Sequence, residues 1–182
     1  MKIEMTRRLV PFLTRSFIGL LASAALAHAA LPELEPAVLA MMKTNTSSVV
    51  EVRIHFVEQW EISPLQKSLA YFSMFTNATG DDQRKLAHAA VKYVASTNHA
   101  LVQQHLFNPE LPRTVLSVLM TDTLKRAPSV KLPALLQLAR VEGHPLQDEA
   151  RDLLRGYLGR DHGTNWVKWE ESVQSRLKEN PA

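Results

Sequence analysis

From Ser63 onward, apolar residues recur at spacings of three and four, and short corners rich in Pro, Gly and Asn interrupt them. That period places the apolar side chains on one face of an α-helix. Ser63-Pro64 is typical of a helix start and Gly159 of a helix end. Helices of roughly 12 to 17 residues with short corners are what antiparallel helix pairs require. The sequence therefore predicts an all-α fold.

The helix pairs also suggest a repeat. The segments expected to be helical after Ser63 are residues 63–76, 81–94, 101–106, 111–126, 129–141, 146–158 and 166–177. Pairs begin near Ser63, near Ala100 or Leu111, and near Ser129, a period of about 35 to 45 residues. That period belongs to helical solenoids, so we expect stacked antiparallel helix pairs, an α-solenoid.

Residues 50–57 fit two structures. Val50, Val52, Ile54 and Phe56 alternate with polar residues, as in a half-buried strand. Val50, Ile54 and Val57 also lie near helical spacing. We favour a helix, because the rest of the chain offers no second strand to satisfy the backbone groups of a first.

Residues 1–29 have the organisation of an export signal. The basic residues before the apolar run are Lys2, Arg7, Arg8 and Arg15. The run covers residues 16–27, too short for the roughly 20 residues of a membrane-spanning helix. Ala27 and Ala29 give the small-x-small pattern of a cleavage site, with Ala30 as the new N-terminus. The alternative is an uncleaved segment that tethers the protein to a membrane.

Removing that segment changes the charge. The chain has 21 Lys and Arg against 18 Asp and Glu, and residues 1–29 hold four of the former and one of the latter. The remainder carries 17 of each and no net charge, which argues against nucleic acid or an anionic membrane as partner. The chain contains no cysteine, so an exported form has only its packed core for stability. We expect residues 30–62 to form a leader with one helix, and residues 63–182 a helical-repeat domain.

Residues 111–170 carry a resemblance to a known family. The stretch VKLPALLQLARVEGHPLQDEARDLLRGYLGRDHGTNWVKW resembles the helix-pair unit of exported bacterial HEAT-like repeat proteins. LPALL is similar to the start of one repeat helix and HPLQDEARDLL to the start of the next, with Ala150 as the small residue at the helix contact. The residues similar to the C-terminal end of such proteins are Gly159, Asp161, Gly163, Trp166 and Trp169. The resemblance implies a scaffold that binds other proteins.

The C-terminal segment predicts an amphipathic helix. Trp166, Trp169, Val173 and Leu177 follow one another at spacings of three, four and four, and Thr164 precedes them as a candidate cap. A helix with this stripe would cover the apolar end of the last repeat. The alternative is that the two indoles form a platform for a sugar or a base.

No catalytic, cofactor or metal site is predicted. The histidines outside the leader lack the spacing of a metalloprotease helix, and zinc sites built on cysteine are excluded. Asp161 and His162 are adjacent, a spacing at which two side chains rarely face each other. The chain has no nucleophile-elbow serine and no phosphate-binding glycine loop.

These patterns predict a non-catalytic helical-repeat protein, exported to the periplasm or the medium, that binds a protein partner and needs no cofactor. They predict no nucleic-acid partner, and no stable membrane span once residues 1–29 are removed. The rival is an enzyme or small-ligand binder with a site between helices, for example around His88, Tyr93 and His99. Converging polar groups in a buried pocket would favour that rival.

Overall fold

Short polar corners between apolar segments produce a chain of helices. The computed structural model describes residues 32–44 and 47–179. The predicted export signal and its cleavage site at Ala27, Ala29 and Ala30 lie outside these residues. Within them the chain forms α-helices and one 3-10 turn, Ser96–Asn98, and no strand. The helices are α1 Pro36–Thr44, α2 Val50–Glu58, α3 Pro64–Phe75, α4 Gly80–Val91, α5 Ala100–Leu106, α6 Arg113–Leu124, α7 Pro128–Arg140, α8 Gln147–Leu158 and α9 Trp166–Glu179. The all-α prediction is confirmed for the described residues.

Local signals set the helix ends. Ser63 Oγ accepts a hydrogen bond from Gln66 N at 3.2 Å, and Pro64 opens α3. Gly159 adopts φ 67°, the left-handed conformation that ends α8. Both features agree with the sequence prediction. The proline within α7, Pro133, is tolerated on an exposed face of that helix.

The ambiguous residues 50–57 are helical. Val50 and Val57 point into the core, where they are 5% and 0% exposed, whereas Val52 and Phe56 are 51% and 42% exposed. A strand would have placed Val50 and Val52 on the same face. Helical packing against α3 and α4 therefore separates residues that the alternating pattern had grouped.

The helices pack chiefly on near neighbours in the chain. α3 lies against α4, α5 against α6, and α7 against α8. α4 also contacts α2 on one side and α6 on the other, while α1 packs on α3. The last helix, α9, lies against α7 and α8. Helices α1 and α2, which precede Ser63, are thus part of the same packed unit as the helices that follow it.

One apolar cluster extends through this packing. The largest fully buried side chains are Trp169, Tyr71, Phe75, Leu86, Leu106, Leu116, Leu119, Met120, Leu132, Leu135, Leu138 and Leu146. These side chains come from helices α3 to α7 and α9 and from Leu146, which directly precedes α8. Because the chain contains no cysteine, the burial of this apolar surface, and not a disulfide, stabilises the fold. None of the helices in the described part of the chain is long and apolar enough to cross a membrane.

Candidate functional site

Four open grooves adjoin one another along helices α2, α4, α6, α8 and α9. They lie between α2 and α4, between α4 and α6, between α6 and α8, and between α8 and α9. We call this surface the groove face. His88 lines both the first and the second groove, and Gly156 and Tyr157 line both the third and the fourth. The second and third grooves share no residue, but Arg113 in the third directly precedes Thr114 in the second.

The third groove has a mostly apolar lining and a volume of about 700 Å³. Leu153, Gly156 and Tyr157 form its α8 side. Gly156 leaves open space, since a Cβ placed there would meet no atom within 4 Å. The ion pair between Arg113 and Glu149, at 3.2 Å, joins α6 to α8 at its edge. An apolar floor with charges at the rim is typical of a protein-binding surface.

On the α6 side of the second groove, three hydroxyl-bearing residues lie beside the charged residues Asp122 and Lys125. Thr114, Ser117 and Thr121 line the groove at helical spacing. Ser117 Oγ donates to Arg113 O at 2.9 Å and Thr121 Oγ1 donates to Ser117 O at 2.7 Å. Because backbone carbonyl oxygens of α6 accept both of these hydrogen bonds, the two side chains lie close to the helix and present small surfaces to the groove.

Ion pairs join α2 to α4 beside the first groove. Lys85 Nζ pairs with Glu51, and Lys92 Nζ lies 2.9 Å from Glu58 Oε1. The hydrogen bond from Lys85 lowers the pKa of Glu51, and that from Lys92 lowers the pKa of Glu58. These pairs are largely exposed, so they set the relative position of the two helices more than they stabilise the fold.

The cap of α9 is Asn165 and not Thr164. Asn165 Oδ1 accepts from Lys168 N at 3.1 Å, and Asn165 O accepts from Trp169 N at 3.2 Å. These are the two bonds of an N-cap residue. The prediction that Thr164 caps α9 was wrong. A cap at Thr164 would require a helix that begins at residue 165, whereas α9 begins at Trp166.

The two tryptophans of α9 occupy different environments. Trp169 is fully buried, and its indole Nε1–H donates to Gly163 O at 3.1 Å. Trp166 is half-buried, with the guanidinium carbons of Arg140 and Arg151 at 5.4 and 5.7 Å from its ring. Val173 is buried and Leu177 half-buried on the same side of the helix. With the indole of Trp169 enclosed, the pair does not form a two-ring platform for a ligand.

The same corner brings together two side chains that the sequence analysis did not connect. His162 Nε2 lies 2.7 Å from Ser172 Oγ, and the His162 ring meets Trp169 edge-on at 5.0 Å between centroids. The spacing of α9 alone shows that Ser172 shares a helix face with Trp169. The approach of His162 depends on the turn at Gly163, with φ 55°, which no periodicity reveals.

A second polar cluster lies inside the protein, where α6 meets the start of α5. His99 Nε2 is 3.2 Å from Thr123 Oγ1, and His99 Nδ1 is 3.6 Å from Asp122 Oδ2. This order of groups is that of a nucleophile, base and carboxylate. Thr123 is fully buried and its hydroxyl also bonds Leu119 O at 2.9 Å, so no substrate reaches it. The cluster holds helices together.

The residues proposed for a ligand site between helices do not share one pocket. His88 lies exposed on the groove face, and His99 is buried against α6. Tyr93 stacks on Tyr71 at 6.0 Å and has Lys92 Nζ 5.2 Å from its ring centroid. Among the described residues, no group of three or more His, Asp or Glu side chains is arranged to hold a metal ion.

Two more histidines contribute to the packing between helices. His144 Nε2 lies 3.0 Å from Leu106 O, and His144 Nδ1 accepts from Leu146 N at 3.1 Å, so Nε2 is the donor to Leu106. His105 stacks on Phe72 with 4.7 Å between ring centroids. Burial lowers the pKa of both histidines, and for His144 the bond to Leu106 O opposes that effect. Sequence spacing predicted neither contact, because each joins different helix pairs.

No protein-family model, curated protein or solved structure that we compared matches this chain. The HEAT-like character of residues 111–170 consequently stays a prediction from their sequence. The groove face and the contacts beside it are the features from which a function can be argued.

Proposed function

We propose that this chain is an exported, non-catalytic helical-repeat protein that binds a protein partner along its groove face. The observation that carries the proposal is the succession of four grooves along α2, α4, α6, α8 and α9. A surface of this kind accepts an extended segment or a helix over several contacts. The third groove offers the apolar floor at which binding energy concentrates.

The spacing of polar contacts supports a repeat of helix pairs. Glu51 pairs with Lys85 and Glu58 with Lys92, each over 34 residues, and Arg113 pairs with Glu149 over 36. These separations fall within the period of about 33 to 47 residues of helix-pair repeats, and are shorter than the period of about 40 to 47 residues of HEAT repeats. In this proposal each ion pair joins one repeat to the next along the groove face.

The proposal gives α9 the role of a terminal cap. Trp169 and Val173 are buried against the preceding helices, while Glu170, Glu171 and Gln174 are exposed. A helix with one apolar and one polar side is what the end of a solenoid requires in order to stay soluble. The partner would then bind beside the cap on the groove face, and not at the covered end.

Export is the second part of the proposal. Residues 1–29 carry the basic, apolar and small-residue sections of a signal peptide, and the remainder has no net charge. The intact mass of the protein recovered after expression with a secretion pathway tests this. We expect a chain that begins at Ala30. Recovery of the full 182 residues in a membrane fraction would favour a tethered protein instead.

Site-specific photo-crosslinking tests the binding surface. A photoreactive residue is placed at Thr121 or Tyr157 on the groove face, and at Gln104 or Gln137 as matched controls on α5 and α7. All four positions are exposed. We expect one discrete protein adduct from both groove positions in the native compartment, and none from the controls.

Equal adducts from all four positions, or none from any, would contradict the binding surface. The rival class, a catalytic or ligand site between helices, has one feature in its favour: the pair of His162 and Ser172 beside the fourth groove. Turnover of a small substrate that depends on this pair, with no adduct from Thr121 or Tyr157, would favour the rival.

A further inference from the structure

The fourth groove contains a serine whose hydroxyl faces an imidazole. Ser172 Oγ lies 2.7 Å from His162 Nε2, and both side chains are half-buried. Ser172 is a lining residue of this groove, which has a volume of about 440 Å³, so a small molecule in the groove would lie beside this side chain. A hydroxyl in hydrogen-bond contact with a base is the arrangement that activates a serine nucleophile.

Packing fixes the orientation of the base. The His162 ring meets Trp169 edge-on, with an interplanar angle of 87° and 5.0 Å between centroids. The Trp169 ring is itself held by burial and by its bond to Gly163 O. When the ring proton is on Nδ1, His162 Nε2 accepts the proton of Ser172. The aromatic contact thus holds the plane of the imidazole, which is one part of what a carboxylate does in other nucleophile pairs.

The groove also supplies positive charge. Arg160 and Arg176 line it together with Ser172. Arg176 pairs with Glu179 at 3.6 Å, whereas Arg160 forms no salt bridge with the carboxylates of the described residues. An acyl donor with a carboxylate of its own would therefore be held by Arg160.

We propose that Ser172 is a histidine-assisted nucleophile that takes the acyl group of activated esters, with a preference for acyl groups that carry a negative charge. Ser172 Oγ bonds to the ester carbonyl carbon and its proton passes to His162 Nε2. The bond between that carbon and the leaving oxygen breaks, and the leaving group departs as an alkoxide or phenolate. The product is an acyl ester of Ser172. The step acylates Ser172 once per chain without turnover, so this inference goes beyond the non-catalytic protein-binding role proposed for the groove face, of which the fourth groove is part.

The test uses the full chain and two probes, p-nitrophenyl acetate and the anionic mono-p-nitrophenyl succinate. Peptide mass spectrometry locates the acyl group, and released p-nitrophenolate gives the rate. We expect acylation at Ser172 by both probes, faster with the succinate. Ser172→Ala abolishes it, and Ser175→Ala leaves it unchanged because Ser175 Oγ bonds Glu179 and no histidine.

Three further variants test separately the His162 imidazole as base, the positive charge of Arg160 and the packing against Trp169. His162→Phe keeps a ring against Trp169 but removes the base, and should slow acylation about a hundredfold. His162→Gln serves if that variant does not fold, as judged by circular dichroism. Arg160→Gln should slow the succinate probe about tenfold more than it slows the acetate probe. Acyl groups spread over lysines without enrichment at Ser172, or equal rates in the wild type and the His162 variants, would overturn the proposal.

Discussion

His99 and Asp122 face each other inside the protein, with 3.6 Å between His99 Nδ1 and Asp122 Oδ2, and Nδ1 has no hydrogen-bond partner. Both carboxylate oxygens are taken up by Arg126, at 2.8 to 3.1 Å, and Arg126 also donates to Val94 O at 2.8 Å. Burial lowers the pKa of His99; the charge of Asp122 opposes this effect and that of Arg126 adds to it. Arg126, and not His99, is therefore the partner that neutralises the carboxylate.

Removing Arg126 should destabilise the fold. Arg126→Met leaves Asp122, whose side chain is 12% exposed, without its cation, and we expect a loss of about 3 kcal/mol in the free energy of unfolding. Urea denaturation measures it. Arg84→Gln removes an exposed pair with Asp81, and should change the same quantity by about 0.5 kcal/mol or less.

The double variant is the sharper test of the same pair. Arg126→Met with Asp122→Leu removes both charges, so it should recover part of the stability that Arg126→Met loses. A double variant that is less stable than Arg126→Met would show that the bond to Val94 O, and not the charge pair, dominates.

Stability should fall on mild acidification. His99, His105 and His144 have pKa values lowered from 6.5 in the folded chain, so the unfolded chain binds more protons below that pH. The free energy of unfolding therefore decreases as the pH falls from about 7.5 to about 5.5, by up to about 1.4 kcal/mol per pH unit for each proton taken up. Urea denaturation at both values tests this.

His105→Phe isolates one of these contributions. The ring stacks on Phe72, and phenylalanine keeps that contact while it cannot take up a proton. We expect the pH dependence of the free energy of unfolding to become shallower in this variant. An unchanged slope would show that His105 does not contribute to it.

Trp169 should be the most sensitive position of α9. Trp169→Ala removes a fully buried indole and its bond to Gly163 O, at a cost of about 3 to 5 kcal/mol in unfolding free energy. Val167→Ala, on the same helix and 63% exposed, should change stability by about 0.5 kcal/mol or less. Equal melting temperatures for the two variants would contradict the packing of the corner.

The cap of α9 gives an independent test. Asn165→Ala removes the acceptor for Lys168 N and should cost about 1 kcal/mol. Thr164→Ala leaves that bond intact and should be nearly neutral. Thermal denaturation compares the two, and the reverse order of stability would restore Thr164 as the cap.

Much of the helical layout was predictable because its signals are local. Ser63-Pro64 and Gly159 start and end helices through their own backbone preferences, and the spacing of Trp169 and Val173 fixes the buried side of α9. The cap of α9 was misassigned because Thr164 and Asn165 both have capping side chains. Which of them is the N-cap of α9 depends on the residue at which the preceding turn ends and the helix begins.

The candidate sites were much less predictable. The groove face combines residues from α2, α4, α6, α8 and α9, which are separate segments of the chain. His162 and Ser172 meet across a glycine turn, and His99 meets Asp122 through the approach of α5 to α6. Such contacts depend on tertiary geometry, which a helical period does not encode.

The hydrogen bonds and salt bridges between the described helices affect how the protein unfolds. The longest, from His144 to Leu106, spans 38 residues, so each helix is tied to segments nearby in the chain. Contacts between segments that are close in the chain favour rapid folding. Among the described residues, no polar contact joins α1 or α2 to the Trp169 corner, so under mechanical force we expect the helices to detach one after another and not all at once.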